Sequence, residues 1–266
     1  MFDYLLAIIL GVIQGLTEFL PISSSGHLEL AKYFFGDDSL PSESLLMTVT
    51  LHGATALSTV VVFRKDIAWL FRSISSTEWN DGKRFAWWIV LSMIPAALIG
   101  IFFNDALEML FDKQIFLVAC MLLVTGALLW YADNRTGMTE HMSPLKAMVT
   151  GLSQAVAILP GISRSGATIA TALLLGVERE RAARFSFLMV LPLIFGKMTM
   201  DVIDGAFLEE GVNLGPLMAG FVAAFGTGWL ACTWMISIVK ESKLKYFSIY
   251  CFVVGGAVIL WYYLWH

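Results

Sequence analysis

The chain has 266 residues, of which 58% are apolar and 14% charged, with a formal net charge of −4 and a mean hydropathy of +0.76. A soluble domain carries roughly 25% charged residues, so this composition cannot supply a water-facing surface, and without a basic stripe it also excludes a nucleic-acid binder. What is left is one polytopic membrane domain over 1–266.

In chain order, the first apolar stretch, 4–34, is interrupted in its middle by Pro21 and a serine–glycine cluster. It lacks a basic n-region, so it is expected to be retained rather than cleaved. Plain apolar segments long enough to span follow at 45–63, 85–103 and 114–131. A second broken stretch, 146–175, comes next, and then spans at 186–203, 214–239 and 246–264. Trp87, Trp88, Trp130, Trp261 and Trp265 fall near span ends, as interfacial aromatic belts do. Cys120, Cys232 and Cys251 all sit in apolar runs, which predicts neither a disulfide framework nor a metal cage.

Basic residues mark cytoplasmic linkers. Arg64, Lys65, Arg72, Lys83 and Arg84 lie in 64–84, Arg135 and Lys146 in 132–146, Arg179, Arg181 and Arg184 in 176–185, and Lys240, Lys243 and Lys245 in 240–245. The other linkers hold only Lys32, Lys113 and Lys197 and are acidic, with Asp37, Asp38, Glu43, Asp105, Glu108, Asp112, Glu209 and Glu210. Linkers 132–146 and 176–185 therefore share a side, and 146–175 must enter and leave by it. The same reasoning makes 4–34 a hairpin entering from outside. The run Glu178-Arg179-Glu180-Arg181 reads as a solvated helix start.

The two broken stretches are related. Gly15-Leu16-Thr17-Glu18 and Pro21-Ile22-Ser23-Ser24-Ser25-Gly26 match Gly151-Leu152-Ser153-Gln154 and Pro160-Gly161-Ile162-Ser163-Arg164-Ser165-Gly166. The expected fold is an all-α integral membrane protein with an inverted-topology repeat. It has about six transmembrane helices plus two re-entrant helical hairpins, with repeat 1 about 1–131 and repeat 2 about 145–266. Irregular backbone at membrane depth is tolerated only where protein or a water-filled cavity covers it. The helices resuming at Gly26 and Gly166 then aim N–H groups into that cavity, a setting that binds phosphate.

Few ionisable residues lie inside apolar stretches, and such residues are functional by default. Gln14 and Glu18, four apart, share a helical face. Arg164 has the planar fork that suits phosphate oxygens, and an ion pair with Glu18 is compatible with that role. His27 is either a general acid or base or a helix-end hydrogen bonder. Ser23, Ser24 and Ser25 include at least one cap, and Ser24 is three residues from His27, within reach of a nucleophile–base contact. His52 reads as a core histidine, and His141 and His266 receive no role.

Gly11-Val12-Ile13-Gln14-Gly15-Leu16-Thr17-Glu18-Phe19-Leu20-Pro21-Ile22-Ser23-Ser24-Ser25-Gly26-His27 resembles the first signature of the bacterial undecaprenyl-diphosphate phosphatases of the bacitracin-resistance (BacA/UppP) type. Pro160-Gly161-Ile162-Ser163-Arg164-Ser165-Gly166-Ala167-Thr168 resembles the second. The resemblance covers essentially the whole chain. It implies hydrolysis of undecaprenyl diphosphate to the monophosphate on the outer side of the bacterial inner membrane, recycling the peptidoglycan carrier lipid and conferring bacitracin resistance. It places the acidic pair on Gln14 and Glu18, the nucleophile on Ser24, the histidine on His27 and the phosphate-binding arginine on Arg164. Gln14 can ligate through its carbonyl but cannot act as a base, so a Mg²⁺ or Ca²⁺ ion is expected to rest on Glu18, with Gln14, and on the substrate's phosphates.

The catalytic set expected is thus Glu18, Ser24, His27 and Arg164. Gln14, Ser23, Ser25, Gly26, Gly161, Ser163, Ser165, Gly166 and Thr168 are expected to bind substrate, through N–H groups near Ser25–Gly26 and Ser165–Gly166. The expected partners are the polyprenyl diphosphate lipid and the bilayer, with a homodimer left open. A polyprenyl-phosphate flippase would use the same cradle. The histidine-nucleophile lipid phosphatases are excluded, because the position six residues after Arg164, where they need histidine, is Ala170.

Overall fold

A computed structural model describes residues 2–35, 45–103, 114–136, 139–203 and 214–265. The acidic linker residues Asp37, Asp38, Glu43, Asp105, Glu108, Asp112, Glu209 and Glu210, together with Lys113 and His266, lie outside the described residues. The described chain is helical throughout, with one isolated bridge between Glu140 and Val177. Its helices are α1 (Phe2–Phe19), α2 (Ser24–Phe35), α3 (Leu45–Val62), α4 (Arg64–Ile74), α5 (Asp81–Phe102) and α6 (Ile115–Asp133). The second half supplies α7 (Pro144–Val156), α8 (Arg164–Leu174), α9 (Arg179–Ile203), α10 (Leu214–Lys240) and α11 (Lys245–Trp265).

Helices α5, α6, α9, α10 and α11 are long and apolar enough to cross a membrane, and α3 joins them if its bent pair with α4 is taken as one span. The protein is therefore an all-α, multi-pass membrane protein. At 1.5 Å per residue, the 12 residues of α2, 13 of α7 and 11 of α8 reach only about 16–20 Å. A hydrocarbon core is about 30 Å thick, so these arms stop part-way. The linker after the first span is helical where the sequence suggested a connection. Beyond Phe63 the chain turns by 78° into α4, which carries Arg64, Lys65 and Arg72 and buries no residue.

The halves exchange partners. Helix α1 packs along α10 and α7 along α5, while α3 meets α9 and α6 meets α11. Each hairpin's first arm thus rests on the second long helix of the opposite half. Glycine permits that approach: a Cβ on Gly15 would run into Thr227 and the Ala224 carbonyl of α10, and one on Gly151 into the Ser92 carbonyl of α5. These matched residues let helix backbones touch in a setting where close packing drives association.

On the basic side, Arg179 does not end in solvent as expected. Its guanidinium pairs with Asp133 at 3.4 Å and donates to the carbonyls of Asp133, Arg135 and Val239 at 3.0–3.4 Å. Asp133 in turn accepts from the Lys245 backbone N–H at 3.2 Å. One cation therefore satisfies helix-end carbonyls of α6 and α10, and its carboxylate partner caps the start of α11.

Candidate active site

The two breaks, 20–23 and 157–163, meet inside the bundle. A Cβ on Gly26 would lie 2.9 Å from the Gly161 Cα, one on Gly166 would lie 3.2 Å from the Pro21 Cβ, and Ser165 Oγ reaches the Leu20 carbonyl at 3.5 Å. Each break is built the same way. Ser23 Oγ accepts from Gly26 N at 3.2 Å and Ser163 Oγ from Gly166 N at 3.1 Å, so both are helix N-caps. Each cap hydroxyl also neighbours the serine two residues on, Ser25 at 3.4 Å and Ser165 at 3.3 Å.

The backbone is forced into these turns. Gly161 has φ +96°, which glycine adopts freely, whereas Ser23 has φ +68°, which costs a residue with a Cβ. Ser23 is held there by its own bonds, since its carbonyl accepts from His27 N at 3.2 Å and from His27 Nδ1 at 2.8 Å. Thr125 of α6 pins the second break, donating to the Gly161 carbonyl at 3.2 Å and accepting from Ser163 N at 3.1 Å.

The caps alter which donors are open. Of the N–H groups expected near Ser25–Gly26 and Ser165–Gly166, those of Gly26 and Gly166 are spent on serine hydroxyls. The N–H groups of Ser24 and Ser25 on α2, and of Arg164 and Ser165 on α8, have no acceptor among the described residues. Helix starts with such orphan donors and positive dipole ends attract anions.

Glu18 lies beneath the meeting point, its side chain 7% exposed. One carboxylate oxygen takes the Arg164 guanidinium and the other accepts from Gln14 Nε2 at 3.2 Å. That orientation leaves the Gln14 carbonyl oxygen unspent. Arg164 is 30% exposed on its side chain, so its fork is fixed on one edge and open on the other. A cavity of about 10 Å³ behind the pair, on the scale of a single water, is lined by Glu18, Thr59, Arg164, Ser165, Thr168 and Ser186. Thr168 and Ser186 share a 2.6 Å hydrogen bond there.

Ser24 and His27 are not brought together. Ser24 is the first residue of α2, and its hydroxyl has no hydrogen-bond partner among the described residues. His27 is engaged at both nitrogens: Nδ1–H donates to the Ser23 carbonyl, and Nε2 accepts from the Tyr250 hydroxyl at 2.8 Å, with the rings stacked 5.5 Å apart. Tyr250 of α11 was missed because a tyrosine in an apolar span carries no local signal. His52, read as a core residue, donates Nδ1–H to the Thr48 carbonyl at 2.9 Å.

Two helix starts meeting at the breaks, a buried carboxylate–guanidinium pair and flanking apolar helices make this a membrane protein with a polar centre inside its bundle. The chain belongs to the bacitracin resistance protein BacA family, whose model matches residues 7–257. It is 55% identical over 257 residues to an undecaprenyl-diphosphatase of Christiangramia forsetii, covering 97% of each chain. It is 47% identical over 260 residues to one of Bacteroides fragilis, covering 96% of each. Over 278 residues and 98% of each chain, it is 37% identical to one of Methanosphaera stadtmanae.

Proposed function

We propose that the protein hydrolyses undecaprenyl diphosphate to undecaprenyl phosphate and inorganic phosphate, the activity that its relatives' name describes. The reading places it in the bacterial inner membrane with the site facing outward, returning carrier lipid to peptidoglycan synthesis and, by lowering the diphosphate pool, opposing bacitracin. The sidedness rests on the clustering of basic residues in the linkers 64–84, 132–146, 176–185 and 240–245. The observation carrying the activity is the free N–H set of Ser24, Ser25, Arg164 and Ser165 gathered over the Glu18–Arg164 pair.

In this scheme the terminal phosphoryl group sits on those donors, and the Arg164 fork stabilises charge on its oxygens as the bridging P–O bond breaks. Either a water attacks directly, or Ser24 Oγ attacks, loses its proton and carries the phosphoryl group until a water cuts the ester and restores the hydroxyl; in both routes the polyprenyl monophosphate departs with the bridging bond's electron pair. Water's oxygen ends in inorganic phosphate. Loose phosphoryl transfer asks little of a base, which accommodates the separation of Ser24 from His27.

Among the described residues no three His, Cys, Asp or Glu side chains could hold a metal together. One carboxylate and one amide carbonyl, on Glu18 and Gln14, nevertheless suit a Mg²⁺ or Ca²⁺ ion that takes its other oxygens from the diphosphate. Such an ion would supply charge neutralisation.

The test is phosphate release from the lipid diphosphate by pure protein in detergent, with and without chelator. Release that chelation abolishes is expected, and no release with any divalent cation would sink the hydrolase reading. It would favour the carrier suggested by the exchanged packing of two related halves, since transport is meaningless in detergent. Near-normal turnover of Ser24→Ala, with Glu18→Ala inactive, would assign the attack to water.

Where His27 exchanges protons with the attacking or product water, Tyr250 acts as a positioning residue that fixes its ring. Tyr250→Phe keeps the stack and removes the hydroxyl, so kcat is expected to fall several-fold at unchanged KM, with an altered pH profile. A purely packing role would leave the profile's shape intact.

A further inference from the structure

A second cavity, of about 780 Å³, lies on the face where the basic linkers gather. It falls within the roughly 300–1,000 Å³ of ligand sites, and it shares no lining residue with the cavity at Glu18. Its walls combine Arg84, Arg181 and Arg184 with Trp69, Phe85 and Trp88. Asp81, Glu178 and Glu180 also line it, so the cavity carries both signs of charge.

Arg184 anchors one wall. It pairs with Asp66 of α4, and its guanidinium carbon sits 5.2 Å from the Trp69 ring centre and 5.7 Å from that of Phe85. Its Nε is buried without a hydrogen-bond partner. A buried guanidinium N–H left unpaired asks for an acceptor. Arg84 meets Asp81, and Arg181 spends its Nε on Glu178 and one terminal nitrogen on the ring of His141, which also lines the cavity; each guanidinium has five donors, so both keep some unspent.

The depth of the cavity follows from α4, which supplies Trp69. This helix lies at 78° to α3, packs Ile67 and Leu70 against the core, and leaves Phe71 68% and Ile74 53% exposed beside its basic residues. A basic amphipathic helix of that kind lies in the membrane interface. The cavity beside it therefore opens at head-group level.

We propose that this cavity is a phospholipid head-group site for a zwitterionic lipid carrying both a phosphate and an ammonium. The phosphate takes the unspent donors of Arg84, Arg181 and Arg184. The ammonium meets the carboxylates and the indole of Trp88, since the Trp69 ring already carries Arg184, and a cation is attracted by the ring quadrupole. Asp81, Glu178 and Glu180 are already paired with Arg84, Arg181 and Lys240, so the lining is close to charge-balanced and a purely anionic ligand would bring an unbalanced charge into it. Helix α9 links the two sites, since Arg184 stands two residues before Ser186 at the Glu18 cavity.

Native mass spectrometry of the full chain in detergent tests this with phosphatidylethanolamine, phosphatidylglycerol and inorganic phosphate as separate additions. One retained phosphatidylethanolamine per chain is expected, weakened at least tenfold in Arg84→Gln, with phosphate release in lipid-free detergent unchanged. Trp88→Leu, which alters a wall without touching a charge, is expected to weaken it too. Equal retention of phosphatidylglycerol, binding of inorganic phosphate alone, or undiminished retention in both variants would overturn the proposal.

Discussion

Arg164→Lys is expected to lower phosphate release about 100- to 1,000-fold, the scale on which loss of one preorganised transition-state donor is felt. Lysine keeps the charge beside Glu18 but is a point cation, whereas the guanidinium holds a carboxylate on one edge and offers parallel donors to a phosphate on the other. The loss should therefore appear in kcat more than in KM. Arg164→Ala is a harsher change, because it strands a carboxylate that is 7% exposed. Removing one partner of a buried pair costs about 3–5 kcal/mol, so this variant is expected to lose yield as well as activity. Glu18→Gln separates the two effects. It removes the charge while retaining the shape and the contact with Gln14, so it should elute as a monodisperse protein and still be almost inactive. If Glu18→Gln turns over normally, the carboxylate is structural and its place in the mechanism is wrong.

The second large effect is expected far from the chemistry. Asp133→Ala should lower the thermal midpoint in detergent by roughly 10 °C, from a loss of about 3–5 kcal/mol. The Asp133 side chain is 4% exposed and that of Arg179 14%, and together they join the ends of α6 and α10 to the start of α11. Removing the acid leaves a cation among carbonyls and an uncapped helix. The double variant Asp133→Asn/Arg179→Gln should recover part of the loss, since no unpaired charge remains and both amides can still bond to the backbone. Equal stability of Asp133→Ala and the parent would show that the cluster contributes only geometry.

Much of this architecture was legible because membrane chains place polarity sparingly. Long apolar runs located the spans, and Pro21 and Pro160 with their serines and glycines located the breaks. Glu18 and Arg164 stood out as charges inside apolar stretches, and they form an ion pair. The remainder depended on contacts between distant segments. Nothing local distinguishes Tyr250 from an interfacial aromatic until α11 brings it against His27. The capping serines could not be told from the free one, because Ser23, Ser24 and Ser25 differ only in their backbone angles. Arg179 looked solvated in a run of alternating charge, and only Asp133, 46 residues earlier, shows otherwise.

The matched serine caps have one more consequence. The two hairpins reproduce the same turn, yet the residues placed on it differ: Ser24 faces Arg164 as the first helical residue, His27 answers to Ala167, and Glu18 to Gln154. Gln154 is buried with neither end of its amide bonded to the described protein. The matched turn thus carries unlike residues, with an acid, a hydroxyl and an imidazole on one hairpin and a cation on the other. The correspondence between the two hairpins therefore holds in the backbone of their turns and ends at the side chains set on them.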